Sequence, residues 1–270
     1  MPFCTKFDEE PISPEYQVCF VMMNRLVNRR MKITVFVLFL SLTLFSSGAQ
    51  TTPQKEDRRF PQKENTHRIM SYNIHHGRGM DDKMDIERIG KLIIELQPEV
   101  VGLQEVDSMV NRSGNIDIMQ QLSAQTGMHA TFGYSILHDG GKYGNGMLTR
   151  DIPLTVTKIE LPGSREARTA LVVELEKYVV INTHLSLIAE ERIESVKIIT
   201  DAAKKLDKPV FLLGDLNATP DSPPLEILKK EWQILSNPKH PTSPSINPRR
   251  TIDYVLGYVA KGQTYAKHNA

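Results

Sequence analysis

Five short apolar segments of this chain each end at a polar residue suited to phosphate or metal chemistry, and this repeated design limits the folds available. The polar ends are Asn73 in RIMSYNIHHG, Glu105 in VVGLQEVD, His184 in VVINTHL, Asp215 and Asn217 in VFLLGDLNATP, and Asp253 in TIDYV. Short apolar runs rich in Val, Ile and Leu are typical of buried β-strands. Because functional side chains concentrate where strands pass into loops, the polar ends predict one shared pocket.

Amphipathic segments between these runs predict helices. Isoleucine and leucine recur every three or four residues over 85–97, and a second long helix is predicted over 190–206. Strands that alternate with helices favour an α/β architecture in which helices cover sheets. With 270 residues, 40% of them hydrophobic, the chain can bury a large core in one domain.

The N-terminal part of the chain has a different pattern. Residues 33–45 form a continuous apolar block that follows a basic segment and precedes the small residues SSGA. This arrangement is typical of a secretory signal peptide, whereas a membrane span needs about 20 apolar residues. We therefore predict a signal peptide over 31–49 and an exported, periplasmic or secreted protein. After signal cleavage we expect no stable membrane span.

The segments on either side of the signal complete the predicted domain organisation. Residues 1–30 precede the signal, and we interpret them as an upstream extension, with Met31 as the true start. Residues 50–66 are polar and contain prolines, which is typical of a solvated linker. The folded domain is then predicted over 67–270.

Removal of the signal would change the cysteine content and the charge. Cys4 and Cys19 are the only cysteines and both precede the signal, so the exported chain would contain no disulfide, thiol nucleophile or Cys-bound zinc. It would carry equal numbers of acidic and basic residues. Non-specific nucleic-acid binding usually draws on a basic excess, so this balance argues mildly against a non-specific nuclease.

Six motifs, taken in order, resemble those of the endonuclease/exonuclease/phosphatase superfamily, which includes DNase I-like nucleases, inositol polyphosphate phosphatases and bacterial sphingomyelinases. The motifs are SYNIHHG, GLQEVD, YGNGMLTR, INTHL, GDLNATP and TIDYV, and they extend over about residues 67–258. The resemblance implies a four-layer α/β sandwich in which helices flank two packed mixed β-sheets. It also implies hydrolysis of a phosphate ester with Mg²⁺ or Mn²⁺ as cofactor.

The resemblance implies a role for most of the polar strand ends. Glu105 resembles the principal metal ligand, and a carboxylate suits a hard cation. Asn73 resembles the amide that supports the metal site or the phosphate. Asp215 resembles the residue that orients or deprotonates the attacking water, and Asn217 resembles the neighbouring amide that binds a phosphate oxygen. His184 resembles the histidine that stabilises charge on the phosphoryl group.

Two further residues are candidates for contact with the substrate. Asn145 in YGNGMLTR is expected to help shape the site, with a plain turn as the alternative. Arg168 precedes a strand and could contact phosphate through its planar guanidinium. A surface ion pair between Arg168 and Glu166 or Glu174 is an equal alternative.

The adjacent histidines His75 and His76 raise the question of a zinc site. Side chains of neighbouring residues on an extended chain point in opposite directions, so they rarely share one ion. We therefore predict at most a substrate-side loop role for this pair.

The chain departs from the superfamily pattern after Asp253, which the resemblance pairs with a catalytic histidine in a final Asp-His strand. No such motif follows here, and His268 has no neighbouring Asp and no apolar strand after it. We therefore expect that the final strand is missing and that the domain is incomplete at the C-terminus.

These observations together predict a monomeric, divalent-metal-dependent phosphoesterase. Its substrate is expected to be a phosphodiester, with a lipid head group or a small molecule favoured over nucleic acid. A secreted nuclease is the first alternative, and a truncated, inactive remnant is the second.

Overall fold

The computed structural model describes residues 66–266 in full and residues 3–5 and 15–20 as backbone. The predicted signal peptide, the linker up to residue 65 and most of the upstream extension lie outside the described residues. The continuous described region begins with a strand at Thr66, one residue before the predicted domain boundary. Within the described part of the chain, no helix is both long and apolar enough to cross a bilayer.

The first sheet contains two parallel pairings and is otherwise antiparallel. Its strands are β1 (Phe3–Thr5), β2 (Glu15–Phe20), β3 (Thr66–Asn73), β4 (Val100–Ser108), β5 (His129–His138) and β6 (Gly141–Thr149). They lie in the order β1-β2-β3-β4-β6-β5, with β3 parallel to both β2 and β4. Helices α1 (Ile86–Leu96) and α2 (Ile118–Thr126) follow β3 and β4 in the chain.

The second sheet is also mixed. Its strands are β7 (Thr155–Leu161), β8 (Arg168–Glu174), β9 (Val179–His184), β10 (Val210–Asp215), β11 (Trp232–Ile234) and β12 (Asp253–Tyr258). The order is β11-β12-β10-β9-β8-β7, with β9 and β10 parallel. Helices α3 (Ala189–Ala203) and α4 (Pro223–Leu228) follow β9 and β10.

Three apolar cores separate the layers. Side chains alternate between the two faces of a strand. On β3, Ile69 belongs to the core between the sheets, whereas Met70 and Tyr72 pack with the apolar faces of α1 and α2. On the second sheet, Phe211 faces the first sheet while Leu212 packs with α3 and α4. The predicted four-layer α/β sandwich is confirmed.

Helix α1 shows how the local sequence sets the boundaries of an element. The carboxylate of Asp85 accepts a 2.9 Å hydrogen bond from the backbone N–H of Arg88 and so caps the N-terminus. Gln97 adopts a left-handed conformation at the C-terminus, immediately before Pro98. The predicted helix over 85–97 is therefore confirmed, whereas α3 ends before residue 206.

A hydrogen bond between two buried amides joins the sheets near their functional edge. Gln104 on β4 donates through Nε2 to Oδ1 of Asn182 on β9 over 2.6 Å. Asn182 Nδ2 donates in turn to the carbonyls of Leu103 and Gly146 in the first sheet, at 2.9 and 2.8 Å. Both amide side chains are completely buried. Asn182 therefore fixes the second sheet against two strands of the first.

The close approach of the sheets at this point requires a glycine. A Cβ atom at Gly102 would lie 1.8 Å from Leu213 Cδ1 and 2.9 Å from the Asn182 amide. Gly102 also lies two residues before Gln104 on β4. The glycine of the GLQEVD motif is thus explained by packing between the sheets.

We expect that Asn182→Ala lowers the free energy of unfolding by at least about 2 kcal/mol, because it removes three buried hydrogen bonds, two to backbone carbonyls and one to the Gln104 amide. Urea unfolding followed by circular dichroism measures this loss. Thr157→Ala, an exposed change on β7, is the control and should lie within about 0.5 kcal/mol of the unaltered chain. Equal stability of the two variants would contradict the assigned role.

Candidate active site

The polar strand ends of the second sheet lie in one row. Asp215 at the end of β10 pairs in register with His184 on one side and with Asp253 on the other. Side chains at every second position of these strands face the first sheet, as Leu213 does on β10. His184, Asp215 and Asp253 occupy positions of this kind. The row therefore lies at the open edge of the cleft between the sheets.

The first sheet contributes Asn73 and Glu105 to the same edge. The register of β4 and β6 shifts between Leu103 and Val106, so Glu105 lies in a β-bulge with a φ of 58°. Bulges re-aim side chains and are frequent beside active sites. Asn73 Nδ2 lies 2.8 Å from Glu105 Oε1 and 3.3 Å from Asp215 Oδ2. One amide thus connects carboxylates that belong to different sheets.

A cavity of 380 Å³ opens over these groups. Its floor contains Asn73, Glu105, Asp215 and Asp253. The walls come from the segment after β3 and from the loop that precedes β12, and they include Arg78, Met80, Thr242, Ser243, Pro244 and Pro248. Four of the predicted site residues therefore meet in one cavity.

Burial raises the pKa of the two aspartates in this cavity. The pKa of Asp215 rises to about 6, chiefly through desolvation, although the backbone N–H of Asn217 donates to its Oδ1 over 2.9 Å. Desolvation and the nearby charge of Asp215 hold the pKa of Asp253 well above its usual value, and Glu105 adds to the repulsion. Three carboxylates share a small volume, which favours binding of a cation.

His184 is the neutral member of the row. Burial and the charge of Arg168 lower its pKa to about 4, so the imidazole carries no charge near pH 7. Its Nε2 lies 3.8 Å from Asp215 Oδ2, which is beyond hydrogen-bond distance. The predicted stabilisation of phosphoryl charge by His184 can therefore come from a neutral N–H donor and not from an imidazolium ion.

The remaining predicted residues lie around the cavity and not in its lining. Asn217 Nδ2 donates to the carbonyl of Leu185 over 2.9 Å, which joins the loops after β9 and β10. Asn145 is buried on strand β6 and donates to the carbonyl of Thr169 over 2.9 Å. This contact joins the two sheets, so the alternative of a plain turn at Asn145 is wrong.

Arg168 forms the ion pair with Glu166, at 3.0 Å, and its side chain is only 10% exposed. The alternative of an ion pair with Glu166 is therefore confirmed, and it lies at the margin of the surface because Glu166 is partly exposed and Arg168 is not. Glu174, the other candidate partner, binds Lys208 instead at 2.7 Å. The positive charge of Arg168 influences the pKa of both His184 and Asp215, which places it near the row.

The histidine pair has a different geometry from the one assumed from the sequence. His75 and His76 adopt left-handed conformations, with φ values of 46° and 45°, within a short 3₁₀ turn. The backbone at this pair is therefore not extended, and the prediction that the two side chains point in opposite directions is wrong. Their rings lie side by side, with centroids 4.3 Å apart. One ligand atom from each histidine and one from Glu105 all lie within 4.8 Å of one another.

A comparison with protein-family models identifies the chain. The model of the Endonuclease/Exonuclease/phosphatase family matches residues 70–262, which is more than half of the sequence. The chain belongs to this family. Members of the endonuclease/exonuclease/phosphatase family are phosphoric ester hydrolases, so the predicted family is confirmed and the predicted enzyme class is that of the family. No curated protein matches the sequence.

Solved structures share the fold of this endonuclease/exonuclease/phosphatase chain. A family member from Beutenbergia cavernae is 24% identical with a TM-score of 0.57, and the match covers 70% of this chain and 63% of that one. The human nocturnin catalytic domain with bound sulfate is 16% identical, with a TM-score of 0.53 and coverages of 70% and 80%. A mannosyl-6-phosphatase from Bacteroides thetaiotaomicron is 14% identical, with a TM-score of 0.54 and coverages of 70% and 84%.

These comparisons limit what can be transferred. At such identities the likeness establishes the fold alone. The chain also spans less than two thirds of the Beutenbergia cavernae protein, at 63%. The activity of this chain must therefore be argued from its own site.

Sequence reasoning missed two groups of residues that build the site. The first is the buried Gln104–Asn182 pair. Its signal in the sequence is an amide inside each of the apolar runs VVGLQEV and VVINTHL, because a buried polar group needs a hydrogen-bond partner. The second is the loop before β12. Thr242 Oγ1 accepts the backbone N–H of Ile252 at 3.0 Å and that of Asp253 at 3.3 Å, which holds this loop against the cavity.

The raised pKa values predict how the stability of the cation-free protein depends on pH. The pKa of Asp215 is about 6 in the folded state and 3.8 in the unfolded state. Its protonated form therefore stabilises the folded state fully below pH 3.8, and this contribution is lost as the pH rises through about 6. We expect the thermal midpoint in EDTA to fall between pH 5 and pH 7.5. For Asp215 the loss over the whole range from below pH 3.8 to above pH 6 is up to about 3 kcal/mol, and roughly half of it falls above pH 5.

Asp253→Asn removes one of the repelling carboxylates, so it should raise the thermal midpoint at pH 7.5 and increase the free energy of unfolding by an amount on the order of 1 kcal/mol. The pH dependence should also become flatter. Asp151→Asn, an exposed change, is the matched control and should leave the profile unchanged. An Asp253→Asn protein that is less stable than the unaltered chain at pH 7.5 would contradict this account.

Proposed function

We propose that this chain is a divalent-cation-dependent phosphodiesterase. The observation that carries the proposal is the contact of Asn73 with both Glu105 and Asp215, at 2.8 and 3.3 Å, on the floor of an open cavity. Asn73 thus links Glu105, the candidate metal ligand, to Asp215, a buried carboxylate whose pKa is raised.

The residues present fit a hard divalent cation. Glu105 and Asn73 offer oxygen atoms, and the repulsion among Glu105, Asp215 and Asp253 is a charge problem that a cation would relieve. Mg²⁺ or Mn²⁺ is the expected ion, with Glu105 and Asn73 as its first ligands. When bound, the ion would supply positive charge to the non-bridging oxygens of the phosphate and to the leaving oxygen.

The side chains around it would complete the hydrolysis. Asp215, held by the N–H of Asn217, would orient a water molecule and accept its proton as the water oxygen attacks phosphorus in line. The bond from phosphorus to the leaving alcohol breaks, and the alcohol oxygen takes a proton from solvent. His184, neutral near pH 7, would donate a hydrogen bond to a phosphoryl oxygen.

The dimensions of the cavity favour a small substrate. At 380 Å³ it can hold a phosphate and one attached group, and Met80, Pro244 and Ile252 give part of the wall an apolar character. A lipid head group or a small phosphodiester is therefore the preferred substrate. The structural neighbours named above include a mannosyl-6-phosphatase, which is compatible with a small substrate.

A nuclease is the second candidate. Arg78 lines the cavity, and Arg250, exposed in the loop before β12, is close enough to lower the pKa of Asp215. These arginines could contact the phosphates along a nucleic-acid backbone. Hydrolysis of DNA that weakens steeply with added salt would favour this alternative.

We also propose that the protein is exported and acts as a monomer in the periplasm or outside the cell. The support is the basic, apolar and small-residue sequence over 31–49. The mass of the product recovered from the culture medium or periplasm tests this proposal. A product that begins at Gln50 is expected, and one that retains residue 31 would contradict it.

The central test is hydrolysis of a chromogenic phosphodiester by the full chain, with and without EDTA. We expect turnover that EDTA abolishes and Mg²⁺ or Mn²⁺ restores. Glu105→Gln removes the carboxylate ligand and Asp215→Asn removes the proton acceptor, so each should lower kcat/KM by roughly 10²–10⁴-fold.

Glu176→Gln is the matched control, because Glu176 is exposed in the turn between β8 and β9. It should retain full activity. Turnover that persists in EDTA would refute the cation-dependent mechanism. A folded protein with no turnover on any phosphodiester would support the inactive alternative.

A further inference from the structure

The histidine turn after β3 places two imidazoles beside the proposed cation site. One ligand atom from each of His75, His76 and Glu105 lies within 4.8 Å of the other two. Tetrahedral ligands at about 2.0–2.1 Å from a metal lie roughly 3.3 Å apart, so small side-chain rotations would bring three donors onto one ion. The separations therefore suit a shared metal.

His76 is the observation that points to a ligand. Its side chain is buried, with 8% of the residue exposed, and its Nδ1 has no hydrogen-bond partner in the described part of the chain. A buried imidazole nitrogen without a partner carries a desolvation cost. Coordination of a metal ion through Nδ1 would remove that cost.

The surroundings of the turn do not oppose a cation. Two arginines lower the pKa of His76, Arg78 by less than Arg112, and Arg78 is paired with Asp82 at 2.6 Å. Arg112 has the larger effect. Its guanidinium is neutralised by two hydrogen bonds to Asp107, at 2.9 and 2.8 Å. Glu105 has one hydrogen bond to its carboxylate among the described residues, from Asn73 to Oε1, which leaves Oε2 for a metal.

We propose that His75, His76 and Glu105 form a nitrogen-containing metal centre that selects a first-row transition ion over Mg²⁺. Imidazole nitrogen suits ions such as Zn²⁺, Fe²⁺ or Co²⁺, whereas Mg²⁺ prefers oxygen ligands and keeps its waters. The inference rests on the proposed function, because Glu105 belongs to both ligand sets. It adds that the resident ion is bound through nitrogen as well as oxygen.

The test uses Co²⁺ as the probe, added to the cation-free full chain in the presence of excess Mg²⁺. The visible absorption of bound Co²⁺ reports the number and type of its ligands, independently of activity. We expect a saturable spectrum typical of nitrogen coordination. The dissociation constant for Co²⁺ should rise by roughly 10–100-fold in His75→Asn and in His76→Asn, a range reached even by loss of outer-shell partners.

Asparagine is the suitable replacement because it tolerates the left-handed conformation of both positions. The matched control is His129→Asn, since His129 is exposed at the start of β5, where it pairs with Thr149 and not with the bulge. It should leave both the spectrum and the dissociation constant unchanged. Thermal midpoints of the three variants would show whether each is folded.

Activity with Mg²⁺, measured on the unaltered chain, separates the two proposals. If the chain hydrolyses a phosphodiester with Mg²⁺ but its Co²⁺ spectrum and affinity are insensitive to both substitutions, this inference alone is overturned. If no divalent cation binds or supports turnover, both proposals are overturned.

Discussion

The buried hydrogen bond between Gln104 and Asn182 is the interaction on which the functional edge depends. Each amide lies one or two residues from a candidate site residue, since Gln104 precedes Glu105 and Asn182 precedes His184 by two. The bond therefore sets the distance between the two sheets where their polar side chains meet. Apolar packing alone would hold the sheets together without fixing this distance, because the hydrophobic effect is not directional.

The cost of assembling the site is electrostatic. Asp215 and Asp253 lie in register on neighbouring strands, and burial raises the pKa of both. The fold holds them together through the packed strands behind them, where Leu213 and Val255 lie in the core between the sheets. A cation bound between these carboxylates would relieve their repulsion. Function and stability thus place opposite demands on the same residues.

Much of this architecture follows from the sequence, because β3, β9 and β10 are apolar runs that end at Asn73, His184 and Asp215. Asp253 differs from the prediction, since it begins β12 and does not end a strand. The positions of Asn73, Asp215 and Asp253 at one edge follow from strand direction and alternation. The bulge at Glu105 does not, since it depends on how β4 pairs with β6. Nor does the histidine turn, because the left-handed backbone of His75 and His76 is set by contacts across the fold and not by local propensity.

The charge state of His184 was also beyond sequence reasoning. Its neutral form near pH 7 results from burial and from Arg168, whose position depends on the pairing of β8 with β9. The loop before β12 is similar, because the motif TIDYV gives no indication that Thr242 binds the backbone at Asp253. Long-range contacts decide these features, so short motifs identify the residues without their environment.

The most direct test of the central claim is the location of a bound cation. Crystals of the full chain grown with Mn²⁺ would show the ion by its anomalous scattering. The account predicts a peak in the cavity, within coordination distance of the Glu105 carboxylate and adjacent to Asn73. A fully occupied peak elsewhere on the protein, with none at Glu105, would contradict it.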